Sequence, residues 1–189
     1  EFELDPADNR IISLARLAQQ CRMQVVAGAA IQNGLQKPHL GAFILSEDGS
    51  VSSYAKMHLG GCEPTYFTPG NALKSISSQR ESIGLSICAD SSKRSHPAAY
   101  ASTGTTIYAA SVFLNADWYA TDSPRFAAYA LDFGMLCLMA NHGLVAGGGS
   151  LAHAMKVALE IEALCGIYLQ ALAVGEPALL SRAQMDEVI

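Results

Sequence analysis

Ser82-Ile83-Gly84-Leu85-Ser86-Ile87-Cys88-Ala89-Asp90 is the stretch on which the fold turns. Ile83, Leu85 and Ile87 alternate with small residues, the pattern of a short strand buried on both faces. The run stops at a cysteine, and Ala89-Asp90-Ser91-Ser92 then leads into a helix-like segment. Open α/β sheets place their ligand crevices at the carboxyl ends of such strands. Backbone N–H groups in the following turn would face the thiol and favour an anion there. The plain alternative is that Cys88 is a small buried hydrophobe, the commonest fate of a free cysteine.

The surrounding chain predicts alternating strands and helices, which is the α/β class. Asp5-Pro6-Ala7-Asp8 reads as a helix start, with Asp5 as cap and Pro6 in the first turn. Ile11, Leu14, Ala15, Ala18 and Cys21 follow at helical spacing. Met23 to Ala27 predicts a strand ending at Gly28. Gly41 to Leu45 and Val51 to Tyr54 flank Ser46-Glu47-Asp48-Gly49-Ser50 as a hairpin. Residues 56–72 are broken by Gly60, Gly61, Pro64, Pro69 and Gly70, and so long a loop in a compact domain is usually functional. Beyond Cys88, residues 94–103 predict a helix closed by Gly104, and Thr105 to Ser111 a strand. Ser123-Pro124 opens a helix running to Gly134, and Met135 to Ala140 is a further buried strand. Val157 to Ile161 alternates as a half-exposed strand, Ile167 to Val174 reads as its partner, and a terminal helix is expected from Pro177 onward.

Composition narrows the function classes. The chain has 189 residues, is 50% hydrophobic and 15% charged, and carries a formal charge of -5. A scattered set of Lys and Arg on an acidic chain excludes a nucleic-acid footprint. No apolar run is long enough to span a bilayer. Five cysteines without close spacing suit a reduced, cytoplasmic setting better than a disulfide framework. His39, His58, His96, His142 and His153 are scattered, so no zinc spacing and no metal or cofactor is implied. Gly147-Gly148-Gly149-Ser150 lacks the lysine of a phosphate loop.

Three pieces carry chemistry when taken together: Cys88, the lysine in Tyr54-Ala55-Lys56-Met57-His58-Leu59, and the carboxylate in Glu63-Pro64-Thr65-Tyr66-Phe67-Thr68-Pro69-Gly70. Gly84-Leu85-Ser86-Ile87-Cys88-Ala89-Asp90 resembles the Gly-x-x-Ile-Cys-x-Asp nucleophile motif of the carbon–nitrogen hydrolase (nitrilase and aliphatic amidase) superfamily. Residues 54–59 resemble its Tyr-Arg-Lys-x-His-Leu motif, in the right order and at the right spacing. Gly104 to Ser111, Ala140-Asn141-His142-Gly143 and Gly148-Gly149-Ser150 resemble later family segments, so the likeness covers most of residues 10–150. The Ile-Cys-Ala-Asp run is closer to the amidase branches than to true nitrilases.

The resemblance implies a four-layer αββα sandwich of the nitrilase type, a single domain across residues 1–189, lacking the family's N-terminal strand, helix and strand. It implies hydrolysis of a small-molecule amide, with Cys88 as nucleophile through a thioester. Lys56 and the N–H of Ala89 would stabilise the oxyanion, and Glu63 would orient Lys56. Phe113 and Trp118 fall where the family's substrate loop lies, His58 reads as structural support, and Asp90 reads as a partner for backbone N–H groups in its turn. The resemblance further implies association into a homo-oligomer. The family's general base is a Glu in a Phe-Pro-Glu stretch upstream of the lysine. Residues 1–10 look like the linker after that stretch, with Glu3 a remnant at most. That departure motivates the alternative expectation, a family member that binds a ligand without turnover.

Overall fold

The computed structural model describes residues 3–78, 81–112 and 116–140, and isolated positions between 156 and 175. The chain divides into a unit of Glu1–His142 and a second of Gly143–Ile189. The elements below belong to the first.

Its first sheet grows from the predicted hairpin. β3 (His39–Leu45) and β4 (Val51–Ala55) pair antiparallel, and Gly49 takes a φ of 84° to close the turn between them. β2 (Val25–Ile31) pairs antiparallel with β3, and the two-residue β1 (Glu3–Leu4) runs parallel to β2 at the edge. The sheet order is β1-β2-β3-β4. Helix α1 (Asn9–Cys21) lies on one face. Its cap is Asp8 rather than the expected Asp5: the Asp8 carboxylate accepts the Arg10 N–H at 2.9 Å, whereas Asp5 caps a turn one step earlier through the Ala7 N–H. Ile11, Ala15 and Ala18 bury against Ile31, Phe43 and Leu45. Leu14 and Cys21, expected on that face, are exposed.

The second sheet holds the opening stretch at its centre. β6 (Glu81–Ile87) lies between β5 (Ser75–Ser78), antiparallel to it, and β7 (Ile107–Ser111), parallel to it; β8 (Leu136–Ala140) completes the order β5-β6-β7-β8. The parallel crossovers are made by α3 (Ser95–Ser102) and α4 (Ala116–Phe133). The period-2 rule then sorts the side chains of β6. Leu85 packs with Ile44, Tyr54 and Ile76, which joins the two sheets face to face, with Ile83 and Ile87 against the same cluster. Gly84 and Ser86 face the helices instead. A Cβ on Gly84 would come within 2.5 Å of the Tyr100 ring, so this glycine exists to let α3 approach. Tyr100, Tyr108, Phe126, Tyr129 and Met135 make the core under α3 and α4. The layers are therefore α1, first sheet, second sheet, and α3 with α4: the expected αββα sandwich.

Two expectations are corrected. The fourth helix does not begin at Ser123-Pro124; it begins at Ala116 and carries Pro124 in its interior. Proline lacks an N–H for the carbonyl of Ala120, and Ala120 is exposed, so water can take the place of that donor. In the second unit, Leu159, Glu160, Ile167 and Gln170 are helical, not extended as their alternation suggested. The segments 141–155 and 177–189, with the family-like Asn141-His142-Gly143 and Gly148-Gly149-Ser150 and the expected terminal helix, lie outside the described residues.

Candidate active site

Cys88 sits at the carboxyl end of β6 and opens a 3₁₀ turn that runs to Ser92. Its φ is 48°, a left-handed conformation that a non-glycine residue adopts at a cost of roughly 1–2 kcal/mol. The turn holds it there: the Ser91 hydroxyl donates to the Cys88 carbonyl at 2.8 Å, and the Ser92 hydroxyl to that of Ala89 at 2.7 Å. The thiol is exposed, so the reading of Cys88 as a buried hydrophobe does not hold. Strain at a single exposed side chain on a rigid strand end is characteristic of a functional position.

Lys56 follows β4 of the other sheet and is completely buried. Its backbone is fixed on both sides, with its N–H donating to the Leu40 carbonyl and its carbonyl accepting the Gly70 N–H, each at 2.8 Å. A Cβ on Gly70 would lie 2.2 Å from the Ala55 carbonyl oxygen, so the long loop can return to the strand only through a glycine. A buried ammonium requires a counter-charge. Glu63 supplies it, with both carboxylate oxygens 2.7 Å from Lys56 Nζ. One of them also accepts the Gly60 N–H at 2.8 Å. Glu63 opens the short helix α2 (Glu63–Tyr66), so the irregular loop places this carboxylate on structure of its own.

Asp90 brings the two segments together. Its Oδ1 accepts the N–H groups of Met57 at 3.1 Å and His58 at 2.7 Å, and lies 3.1 Å from His58 Nδ1. Its Oδ2 accepts the Ile87 N–H at 3.1 Å and the Tyr54 hydroxyl at 2.6 Å. Met57 follows Lys56 and Ile87 precedes Cys88, so backbone next to each lies on one carboxylate, at most about 8 Å apart. Gly60 closes the same approach, since a Cβ there would be 3.2 Å from that of Ala89. His58 meets Asp90 through both its backbone N–H and its ring, and Asp90 does more than serve its own turn.

His58, Asp90 and His96 each offer a ligand atom within 4.8 Å of the others. The Asp90 oxygens are already engaged by the donors just named, and both His96 nitrogens lie against tyrosine hydroxyls, so the cluster is a hydrogen-bonded network in which a cation would have to displace several partners. Of the remaining candidates, Phe113 lies outside the described residues. Trp118 is more than half exposed, on α4. Ala89 follows Cys88 and is partly covered. Glu3 is exposed at the edge of the first sheet. Tyr54 and His96 went unnoticed in the sequence, although Tyr54 opens the lysine motif and offered a signal there.

The sequence profile described as Carbon-nitrogen hydrolase matches residues 6–164. This chain belongs to the carbon–nitrogen hydrolase family. The NitN amidase from Nesterenkonia sp. AN1 superposes with a TM-score of 0.63 at 24% identity, over 71% of this chain and 55% of that one. A cysteine-to-alanine variant of the amidase from that organism, in complex with butyramide, gives a TM-score of 0.62 at 23% identity, over 71% and 53%. These likenesses establish the fold, and the carbon–nitrogen hydrolase chain spans about half the length of those amidases. A 5-methylthioribulose-1-phosphate/5-deoxyribulose-1-phosphate aldolase from Rhodospirillum rubrum is 37% identical over 65 residues, which is 34% of this chain and 29% of the aldolase. A 5-deoxy-D-ribulose 1-phosphate aldolase from Bacillus thuringiensis serovar kurstaki is 45% identical over 51 residues, 27% of this chain and 24% of that protein. Both are short-segment likenesses. Among the described residues no helix is long and apolar enough to cross a membrane.

Proposed function

We propose that this carbon–nitrogen hydrolase cleaves a small-molecule amide through a cysteine thioester. The Cys88 sulfur attacks the amide carbonyl carbon, and the C=O π pair moves onto oxygen. Lys56 Nζ and the Ala89 N–H face that developing charge. Collapse of the tetrahedral adduct expels the amine, which carries away the proton given up by the thiol, and leaves the acyl group on sulfur; water then releases the acid and returns a proton to the sulfur. Glu63 holds the lysine's charge and direction throughout. The arrangement that supports this reading is the shared carboxylate of Asp90, which sets the backbone beside Lys56 against the backbone beside an exposed, strained Cys88.

A second reading, a member that binds an amide without turning it over, is favoured by the placement of Glu3 at the edge of the first sheet. No hydrogen bond joins Glu3 to Lys56 or Cys88, so nothing in its placement makes it the base that accepts the thiol proton. Intact-mass measurement after incubation with short aliphatic amides separates the two readings. Turnover predicts an acyl adduct, absent in Cys88→Ala, together with release of ammonia. A Cys88→Ala protein that still releases ammonia ends the cysteine mechanism, and ligand-induced stabilisation without adduct or ammonia selects the binding reading.

A further inference from the structure

Behind Cys88 runs a line of buried polar side chains that the reaction above leaves unused. From Asp90 it passes through the Tyr54 hydroxyl to His96 Nε2 at 3.0 Å, from His96 Nδ1 to the Tyr108 hydroxyl at 2.9 Å, and from there to the Ser86 hydroxyl at 2.9 Å. Asp90, Ser86, Tyr54, His96 and Tyr108 are all at most 2% exposed. Buried groups of this kind persist only when each finds a partner.

Donor arithmetic sets the direction of each hydroxyl in the line. Tyr54 has a single hydroxyl proton, and it goes to the carboxylate. Toward His96 it can only accept. Tyr108 likewise has one hydroxyl proton, and it goes to Ser86 Oγ, so toward His96 Nδ1 it too accepts. His96 thus stands between two hydroxyls whose protons point away from it, and burial, the largest influence on the ring, pushes its pKa down.

The line also crosses the molecule. Tyr54, Met57 and His58 belong to the first sheet or the loop leaving it, whereas Ser86, Ile87 and Tyr108 belong to the second, and His96 to α3. Capping the 3₁₀ turn requires only the Ile87 N–H. The four contacts from Tyr54, Met57 and His58 serve a different purpose, because they come from the opposite sheet or the loop leaving it.

We propose that Asp90 is a positioning residue that fixes Lys56 against Cys88 across the inter-sheet seam, with the Tyr54–His96–Tyr108–Ser86 line holding its carboxylate in place. This rests on the reading of Cys88 as nucleophile with Lys56 as its cation. The experiment therefore uses a readout independent of amide turnover: the rate at which iodoacetamide alkylates Cys88 in the whole chain at neutral pH, with peptide mapping to separate it from the other cysteines.

Asp90→Asn is nearly isosteric and removes a negative charge. By charge alone it would favour the thiolate and speed alkylation. Through lost alignment of Lys56 it slows alkylation by about tenfold or more, a change in line with ångström-scale misplacement. In a Lys56→Met background the same substitution has no further effect. Tyr54→Phe keeps the charge and the packing, and slows the reaction by roughly threefold through the loosened carboxylate. Asp90→Asn alkylating at the wild-type rate or faster, or slowing equally in both backgrounds, overturns the proposal. If Asp90→Asn fails to fold, a Tyr54→Phe protein with the wild-type rate does so instead. A wild-type Cys88 no faster than free cysteine refutes the nucleophile reading itself, an outcome distinct from either.

Discussion

The ion pair of Lys56 and Glu63 predicts an asymmetry that stability measurements resolve. Lys56 is 0% exposed at its side chain and Glu63 25%, with both carboxylate oxygens on the ammonium. Glu63→Gln preserves shape but removes the counter-charge from a cation with no access to water. Breaking a buried pair from one side destabilises by about 3–5 kcal/mol. The amide oxygen of Gln retains one hydrogen bond and the Glu63 side is partly wet, which brings the expectation to about 2–3 kcal/mol. With a urea slope of about 2 kcal/mol/M for a chain of this size, the unfolding midpoint falls by roughly 1–1.5 M. Lys56→Met does less damage, because the carboxylate left behind can be hydrated and the methionine suits an apolar site. The double variant Lys56→Met, Glu63→Gln recovers more than half of the Glu63→Gln loss. Urea unfolding followed by circular dichroism tests all three. A midpoint shift below about 0.25 M for Glu63→Gln, or a larger loss for Lys56→Met than for Glu63→Gln, refutes the reasoning.

Two further outcomes follow from geometry near Cys88. Gly84→Ala drives a methyl into the Tyr100 ring, which cannot retreat because its hydroxyl bonds the Leu85 and Lys74 carbonyls at 2.9 and 3.0 Å; a loss of about 2 kcal/mol is expected in the same unfolding assay. At Cys88, whose φ is 48°, Cys88→Gly relieves left-handed strain that Cys88→Ala retains, so the glycine variant is the more stable of the two by about 0.5–1 kcal/mol, read as the difference in urea midpoint.

The errors of the sequence reading share a cause. Ser123-Pro124 has the chemistry of a helix start, and a proline in the third helical turn carries the same local signal as one in the first. Which it is depends on whether the carbonyl four residues earlier can reach water. Asp5 and Asp8 offer two caps one turn apart, and only the path of the chain from β1 selects the second. β5, written Ser75-Ile76-Ser77-Ser78, has a single apolar residue to reveal it; it is a strand because β6 lies beside it and Ile76 meets Leu85.

Local order along the chain determined the β3–β4 hairpin, the buried strand ending at a cysteine, and the motifs that mark Lys56, Glu63 and Cys88, because alternation, turn residues and motif spacing are properties of neighbouring residues. Tertiary structure alone decided what Asp90 is for. Read in sequence, it is a carboxylate three residues into a turn, with local N–H groups to satisfy. Folded, most of its donors come from a strand and loop more than thirty positions earlier. Hydrogen bonds between sheets leave no periodicity in the chain, since the sheets meet through a seam whose register is set by packing of Ile44, Tyr54, Ile76 and Leu85.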